Sequence, residues 1–537
     1  MASQRIPVST YRLQFNSSFR FSDARTIVPY LRRLGISDLY ASPIFKATPG
    51  STHGYDITDP TCFNPELGSE EEFSALVEEL KKHGMGLLLD IVPNHLAASP
   101  DNPWWLDVLE SGLWSPYADF FDINWNPIDS PLKNKILLPI LGHHYRDALE
   151  NGELVLALED NNLFVRYYDY RLPLEIKSYG QVLSHNLDTL EERLDGSTLA
   201  VQQLKIIIES MNNLLPLPST AAAATIEQYK QRQAIKKECR RLLNTSPEIK
   251  NFLGGNLKSF NGNKGKPASS ELLEQLLAQQ VYQLAYWKTA HSDINYRRFF
   301  DINDLIGIRV ELTQVFAATH TLIFRLAREG KVSGLRVDHI DGLYDPQEYL
   351  LRLQDNMSEP GIYTVTEKIL SGNEVLPGQW PVCGTTGYDF LNQANSLFID
   401  YKGLKALREH YSQLTGVTSD FCSVAYEKKK KVIEELFPGE ISRLGLYLHQ
   451  VIQQDEKANN LSMEELKEAL IEVTACLPVY RTYIRAFDVS PSDKDYLELA
   501  FGEARQRCLS IKSEVWDSLK RVLSLDFPPG FSPEQKE

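Results

Sequence analysis

The chain has 537 residues and a formal net charge of −15, and 43% of its residues are hydrophobic. This length is enough for a large core and for more than one domain or a heavily extended barrel. The negative charge argues against nucleic acid and anionic membranes as partners, because both would repel the protein.

The six cysteines are scattered along the chain and form no CxxC pair, a pattern typical of reduced thiols in the cytosol. Residues 1–15 lack a basic start followed by an apolar run, and no apolar stretch is long enough to cross a bilayer. No phosphate-binding glycine loop or cluster of metal ligands occurs. We therefore predict a cytoplasmic protein that uses no cofactor and no metal.

Short strands and helices alternate over the first hundred residues, which favours a parallel sheet with right-handed crossovers. The predicted elements are strands at 8–13, 37–40 and 86–92, and helices at 22–34 and 70–83.

The alternation stops after Val92. We predict a long insertion from residue 94 to about residue 330, aromatic-rich at first and then mainly helical. Barrel folds are commonly extended by such insertions in their loops. A charged helix is predicted at 219–243, and glycine signals at 251–269 predict a flexible loop or a boundary.

Alternation then resumes, and a mostly helical region follows. The predicted elements are a helix at 314–330, a strand ending at Asp338, a helix at 346–356, a strand ending at Glu367 and a candidate strand at 381–386. These make six candidate strands, whereas a closed (β/α)8 barrel has eight. We predict an α/β fold of the TIM-barrel type that is incomplete, in four regions: 1–93, 94–330, 331–392 and 393–537.

The most informative segment is Gly-Leu-Arg-Val-Asp-His-Ile-Asp-Gly-Leu at 334–343. Side chains alternate along a strand, so Arg336 and Asp338 point to the same face. A fixed guanidinium would keep Asp338 ionised and aimed, as a nucleophile requires. With Glu367 at the end of the next strand, the pattern predicts a barrel active site for glycosidic chemistry. Arg-x-Asp on a strand is, however, more often a structural ion pair.

Two further segments, His-Gly-Tyr-Asp at 53–56 and Asp-Ile-Val-Pro-Asn-His at 90–95, follow predicted strands. With the two acids, in this order, they resemble the α-amylase superfamily of glycoside hydrolases and transglycosylases (glycoside hydrolase family 13). Nearly the whole chain also resembles one family within it, the maltooligosyltrehalose synthases. The segments that carry this narrower likeness are VSTYRLQ at 8–14, YASPIF at 40–45, INYRRFFD at 294–301 and GTTGYDF at 384–390.

The resemblance implies a retaining double displacement within one maltooligosaccharide. Asp338 would attack the anomeric carbon of the reducing-end linkage, and Glu367 would act as acid and then as base. The released glucose would turn over and attack in its turn, which converts an α-1,4 linkage into an α,α-1,1 linkage.

The other site residues are also implied by motif position. Tyr55 would stack under the sugar ring, His95 and Arg336 would bind that ring or the nucleophile, and His339 would face the leaving glucose. Asp90 and Asn94 would support the site. Taken alone, a Tyr such as Tyr55 or a His such as His95 is usually a core or surface residue.

The sequence departs from the superfamily at one point. Members use a third carboxylate in a His-Asp pair after the seventh strand, but none of the eleven histidines here precedes an aspartate. The resemblance implies that the family's sequence continues past Glu537 and carries the last two strands with the missing acid. A complementing C-terminal polypeptide is therefore an expected partner, beside the maltooligosaccharide and, by analogy, a trehalose-releasing hydrolase.

Two alternatives stay open. A plain α-glucan hydrolase would create new reducing ends, whereas the transglycosylase would remove them. A catalytically incomplete glucan-binding fragment would bind oligosaccharide without turnover.

Overall fold

The structure is a computed structural model that describes residues 5–128, 130–194, 196, 198–218, 225–265, 270–357, 362–418, 420–453, 460–485 and 488–526. The strands are β1 Thr10–Leu13, β2 Asp38–Ala41, β3 Phe45–Ala47, β4 Ile57–Phe63, β5 Gly86–Ile91, β6 His95–Ala97, β7 Ile136–Leu141, β8 Leu154–Glu159, β9 Asn162–Tyr167, β10 Tyr170–Pro173, β11 Tyr282–Tyr286, β12 Arg298–Phe299, β13 Ile302–Gly307, β14 Gly334–Val337, β15 Tyr363–Thr366 and β16 Gly384–Thr385.

Helices take up much of the rest of the described chain. They are α1 Phe21–Leu34, α2 Glu70–Lys82, α3 Pro103–Ser111, α4 Tyr145–Glu150, α5 Tyr179–Ser184, α6 Leu187–Leu194, α7 Leu199–Asn212, α8 Ile226–Thr245, α9 Pro247–Asn261, α10 Glu271–Ala278, α11 Ala290–Asp293, α12 Thr313–Arg328, α13 Pro346–Asp355, α14 Tyr388–Ser396, α15 Tyr401–Thr415, α16 Phe421–Leu436, α17 Pro438–Ile452, α18 Met463–Cys476, α19 Pro491–Arg507 and α20 Ser513–Leu523. Among them, none is long and apolar enough to cross a membrane.

The chain divides into two compact units, the first made of residues 1–44, 65–94 and 316–537. Its centre is a six-stranded parallel sheet in the order β1-β2-β5-β14-β15-β16. All six predicted strands occur, although the first begins at Thr10 instead of Val8 and the last is limited to Gly384–Thr385. This sheet fits a TIM-barrel-type fold.

The helices between these strands begin where the sequence places capping residues. Ser69 caps α2 and forms a capping box with Glu72, and Asp345 caps α13, which has Pro346 in its first turn. Both helices bury an apolar stripe, which in α2 includes Phe73 and Leu76. The sequence pattern therefore predicted these two helices to within a residue at each end.

Helices α17 to α20 form a separate apolar cluster within the first unit. Its most enclosed side chains include Leu466, Phe501, Trp516 and Leu519. The rings of Phe501 and Trp516 meet edge to face with centroids 6.4 Å apart. This cluster fixes the helical region that follows the sheet.

The second unit comprises residues 45–64 and 95–315. Its described residues form four small sheets besides the helices: β3 with β4, β12-β13-β6, β11 with β7, and β10-β9-β8. The prediction of a mainly helical insertion missed these strands, which are two to seven residues long.

One local prediction is wrong. The glycine signals at 251–269 predict a flexible loop or a boundary, but α9 continues through Asn261. Ile249, Leu253 and Phe260 lie at helical spacing and are fully buried, so packing outweighs the low helix propensity of the glycines. Residues 266–269 of that prediction lie outside the described residues, as do residues 219–224 of the predicted helix at 219–243.

We predict that Phe501→Ala lowers the free energy of unfolding of the α17–α20 cluster by about 3–5 kcal/mol, because it leaves a cavity in a closed core. Leu499→Ala, on the exposed side of the same helix, should change it by less than about 0.5 kcal/mol. Urea unfolding, monitored by amide hydrogen exchange of α18 and α19, measures the change in the free energy of unfolding for both variants. Equal losses in the two variants would contradict this core.

Candidate active site

The register of the parallel sheet places the candidate residues on one face. Arg12 lies opposite Tyr40, and Asp90 lies opposite Arg336. The pairing of Val337 with Thr366 brings the residues that follow them to the same level. Asp338 and Glu367 each follow the last residue of a strand, so they leave the sheet at the same level. Because side chains two residues apart share a face, all of these polar groups meet at the carboxyl ends of the strands.

The Arg336 guanidinium contacts three carboxylates of the site. Its Nη1 donates to Asp90 Oδ1 at 2.7 Å and to Asp338 Oδ1 at 2.6 Å, and its Nη2 lies 2.9 Å from Glu367 Oε1. Burial would lower the pKa of Arg336, but Asp90, Asp338 and Glu367 raise it above its ordinary value. Arg336 therefore stays charged and binds both predicted catalytic acids.

Asp338 is buried, with 6% of its surface exposed. Burial, the largest cause, acts with the carboxylates of Asp90 and Glu367 against the Arg336 guanidinium, and the pKa of Asp338 is raised to about 7. The sequence predicted that Arg336 would keep this carboxylate ionised, but in the fold desolvation outweighs the guanidinium. Asp338 therefore titrates near neutral pH.

Glu367 is more open, with 25% of its side chain exposed. Its Oε2 accepts a hydrogen bond from the backbone N–H of His339 at 3.0 Å. His339 has the left-handed backbone angles φ 44° and ψ 50°, a conformation that costs free energy in a non-glycine residue. This turn aims the N–H of His339 at the carboxylate of Glu367.

The turn depends on Gly342. A Cβ at that position would lie 2.2 Å from the His339 ring and 2.6 Å from Asn94 Oδ1. Asn94 is itself buried. A side chain at residue 342 would thus displace the predicted supporting and substrate-binding residues together.

The structure adds two residues that the sequence analysis did not assign to the site. Arg12 Nη1 donates to Asp90 Oδ2 at 3.0 Å, and the Tyr40 hydroxyl donates to the same oxygen at 3.3 Å. The Arg12 guanidinium also lies over the Tyr40 ring, 4.6 Å from its centroid. Both residues belong to segments that carry the family likeness, and this was the available signal.

A second buried network begins at Lys368, the residue that follows Glu367 in the sequence. Lys368 is 1% exposed and pairs with Asp341 at 3.0 Å and with Glu374 at 2.7 Å. The Tyr483 hydroxyl donates to Asp341, and Arg481 donates to the Asp341 carbonyl oxygen at 2.9 Å. We call these residues the Lys368 cluster; it joins the loops after β14 and β15 to the helical region.

The remaining predicted residues lie in the second unit. Tyr55 is partly exposed and stacks with His53, with ring centroids 6.0 Å apart. His95 begins β6, is fully buried, and lies 4.3 Å from the Phe299 ring. The roles predicted for Tyr55 and His95 toward the sugar stay predictions.

The charges on Arg12, Arg336, Asp90, Asp338 and Glu367 comprise two cations and three acids. In a poorly solvated site this composition favours one bound proton, which balances the charge. An acid pair that holds one proton can supply both a nucleophile and a proton donor.

In the described ranges, no group of three His, Cys, Asp or Glu side chains has an arrangement suited to a metal ion.

We predict that Asp338→Asn changes the pH dependence of stability. The pKa of Asp338 in the fold is about 7. That value is above the ~3.9 of an unfolded aspartate, so the group favours folding below pH ~4 and this contribution is lost as pH rises through ~7. Between pH 4 and pH 8 the parent should lose roughly 1–4 kcal/mol relative to the variant in urea unfolding. Parallel profiles would contradict the raised pKa.

We also predict that Lys368→Met destabilises the fold by about 3–5 kcal/mol, because it leaves two buried carboxylates without their cation. The matched control is Lys82→Met, whose side chain is 66% exposed and pairs with Glu79; it should cost at most about 1 kcal/mol. Thermal and urea unfolding compare the two variants. A loss no larger than that of the control would show that the Lys368 cluster contributes little.

Comparison with known proteins gives one consistent result. Residues 26–149 match the family described as "Alpha amylase, catalytic domain". A putative maltooligosyl trehalose synthase of Mycobacterium tuberculosis (strain H37Rv) is 32% identical over 403 residues, which cover 74% of this chain and 39% of that protein.

Solved structures agree. The maltooligosyltrehalose synthase of Arthrobacter ramosus superposes with a TM-score of 0.69 at 30% identity, covering 96% of this chain and 53% of that one. A hypothetical maltooligosyl trehalose synthase of Sulfolobus tokodaii gives a TM-score of 0.63 at 29% identity, covering 97% and 54%. The chain spans about half the length of these solved relatives and less of the curated one. It belongs to the maltooligosyltrehalose synthase family of the α-amylase superfamily.

Proposed function

We propose that this chain carries the nucleophile and the acid/base of an intramolecular transglycosylase that forms maltooligosyltrehalose. The observation that carries the proposal is the shared guanidinium of Arg336, which binds Asp338 and Glu367 at the ends of neighbouring strands. Pairs of carboxyl groups that flank one bond are the usual machinery of glycosidic bond cleavage. The choice of the linkage that is formed is supported by the names of the relatives, which are maltooligosyltrehalose synthases.

In the first step, Asp338 attacks the anomeric carbon of the sugar whose α-1,4 bond joins it to the reducing-end glucose. The bond from that carbon to the glucose oxygen breaks, and Glu367 gives its proton to the departing oxygen. This step requires Asp338 as a carboxylate and a proton on Glu367 when substrate binds. The more exposed Glu367 is the better placed of the two to meet the leaving group.

In the second step, the released glucose turns so that its anomeric hydroxyl faces the ester on Asp338. Glu367 takes the hydroxyl proton, the new carbon–oxygen bond forms, and the Asp338 carboxylate leaves. Two inversions give net retention, so the product linkage is α,α-1,1. Atoms and charge balance, and no cofactor is needed.

The other residues have supporting parts in this scheme. Arg336 would hold the Asp338 carboxylate in position and bind the sugar, and Asp90 with Asn94 would support the guanidinium and the His339 turn. Tyr55, His95 and His339 would bind the sugars on either side of the cleaved bond. A cytoplasmic location, and a trehalose-releasing hydrolase that consumes the product, are parts of the same proposal by analogy.

A second candidate function rests on specific observations. No His-Asp pair occurs in this sequence, and the described sheet has six strands where a closed barrel has eight. A site without the third acid would bind oligosaccharide but turn it over slowly, because that acid stabilises the charged transition state. This candidate is a glucan-binding chain that needs a further polypeptide for activity.

We predict that the chain, incubated with maltohexaose, removes reducing ends while the product mass stays unchanged. Asp338→Asn and Glu367→Gln should each lower the rate by about 10³-fold or more. Asp517→Asn, with a side chain that is 63% exposed, is the control and should leave the rate unchanged. A reducing-end assay with mass spectrometry measures both quantities.

The other outcomes separate the alternatives. New reducing ends with shorter products would identify a hydrolase and overturn the proposal. Oligosaccharide binding by calorimetry without turnover, unchanged in Asp338→Asn, would favour the glucan-binding chain.

A further inference from the structure

Two neighbouring contacts join the loops that carry the candidate acids. The backbone N–H of His339, in the loop after β14, donates to Glu367 Oε2 at 3.0 Å. Asp341 Oδ2, in the same loop, lies 3.0 Å from the ammonium of Lys368, the residue that follows Glu367. The loop after β14 therefore holds the loop after β15 at two successive residues, and the first of them is the proposed proton donor.

The contact through Lys368 is enclosed. Lys368 is 1% exposed, and its ammonium also lies 2.7 Å from Glu374. The same ammonium lies 5.5 Å from the centre of the Tyr483 ring. A buried ion pair with several partners is confined to one geometry, whereas an exposed pair has many. The pair of Lys368 with Asp341 can therefore transmit the position of one loop to the other.

A short segment between α18 and α19, which we call the 481–485 segment, binds the same turn. Arg481 Nη1 donates to the carbonyl oxygen of Asp341 at 2.9 Å and to that of Leu343 at 2.7 Å. The Tyr483 hydroxyl donates to Asp341 Oδ1. The backbone and the side chain of Asp341 are thus both held by this segment.

The His339 turn has a reason to need such support. His339 has the left-handed backbone angles φ 44° and ψ 50°, and a non-glycine residue keeps that conformation only where its surroundings impose it. Arg485 Nε adds a third contact, because it donates at 2.7 Å to Oδ2 of Asp345, the residue that caps α13. The 481–485 segment therefore restrains the chain from the turn to the start of α13.

We propose that Asp341, Lys368 and the 481–485 segment are positioning residues for Glu367. They fix the turn whose N–H binds Oε2 of this acid, while Arg336 lies 2.9 Å from Oε1. With both oxygens held, the carboxyl group keeps one orientation toward the bond that it protonates. The inference rests on the proposed function for the role of Glu367, but the hydrogen bond from the turn is measured without turnover.

The test is Tyr483→Phe, which removes one hydroxyl group and keeps the ring. Isotopic labelling of the eleven histidines gives one amide signal for each, and a His339→Gln variant assigns that of His339. In Tyr483→Phe we expect hydrogen exchange of this amide to accelerate by about tenfold or more, because its bond to Glu367 is weakened. The amide of His320, a buried residue of α12, should exchange as in the parent.

The matched control is Tyr426→Phe. The Tyr426 hydroxyl donates at 2.6 Å to the buried Glu472, which also pairs with Lys430, so the same kind of contact is removed between α16 and α18. This variant should lower the free energy of unfolding about as much as Tyr483→Phe, yet leave exchange of the His339 amide unchanged. Equal acceleration in both variants would indicate a general loss of stability and overturn the proposal.

Conversion of maltohexaose gives a second measurement. Tyr483→Phe should lower kcat by about tenfold and leave KM unchanged, because the acid is misoriented in the transition state while the sugar still binds. Lys368→Arg, which keeps the cation, should retain more of the parent's kcat than Lys368→Met.

The remaining outcomes are distinct. Unchanged exchange of the His339 amide in Tyr483→Phe would overturn the proposal, and so would faster exchange with an unchanged kcat. Faster exchange in a chain whose parent does not convert maltohexaose would support the positioning of Glu367 and argue against the proposed function.

Discussion

The buried guanidinium of Arg336 is the interaction on which the site depends. It holds Asp90, Asp338 and Glu367 on one side chain, and three adjacent strands supply these residues. Without this cation, three acids would face one another in a poorly solvated position, at a cost of several kcal/mol. The register of β5, β14 and β15 is therefore coupled to the electrostatics of the strand ends.

The charges of the site do not cancel, because its acids outnumber its cations, and this difference is useful for proton transfer. Arg12 and Arg336 offer two positive charges against three acids, and burial already raises the pKa of Asp338. A cluster with room for one proton can pass it between a nucleophile and a proton donor with little rearrangement. The Lys368 cluster has a different role, because it pairs Lys368 with two carboxylates and fixes the loop beyond Glu367.

The six-stranded parallel sheet of the first unit supports this site. Four strands, β1, β5, β14 and β15, hold the charged groups in register. The pairing of β5 with β14 is long-range, because 246 residues separate Asp90 from Arg336, so these charged groups meet only when the sheet has formed.

The sequence by itself determined the parallel sheet, the helices at 70–82 and 346–355, and the candidate pair Asp338 and Glu367. These features follow from alternation, capping residues and acids at strand ends, all of which are local. The tertiary structure decided that residues 247–261 are helical, that Arg12 and Tyr40 join Asp90, and that Asp338 titrates near neutral pH. Each of these depends on burial and on residues distant in sequence, and no local pattern encodes the desolvation that they create.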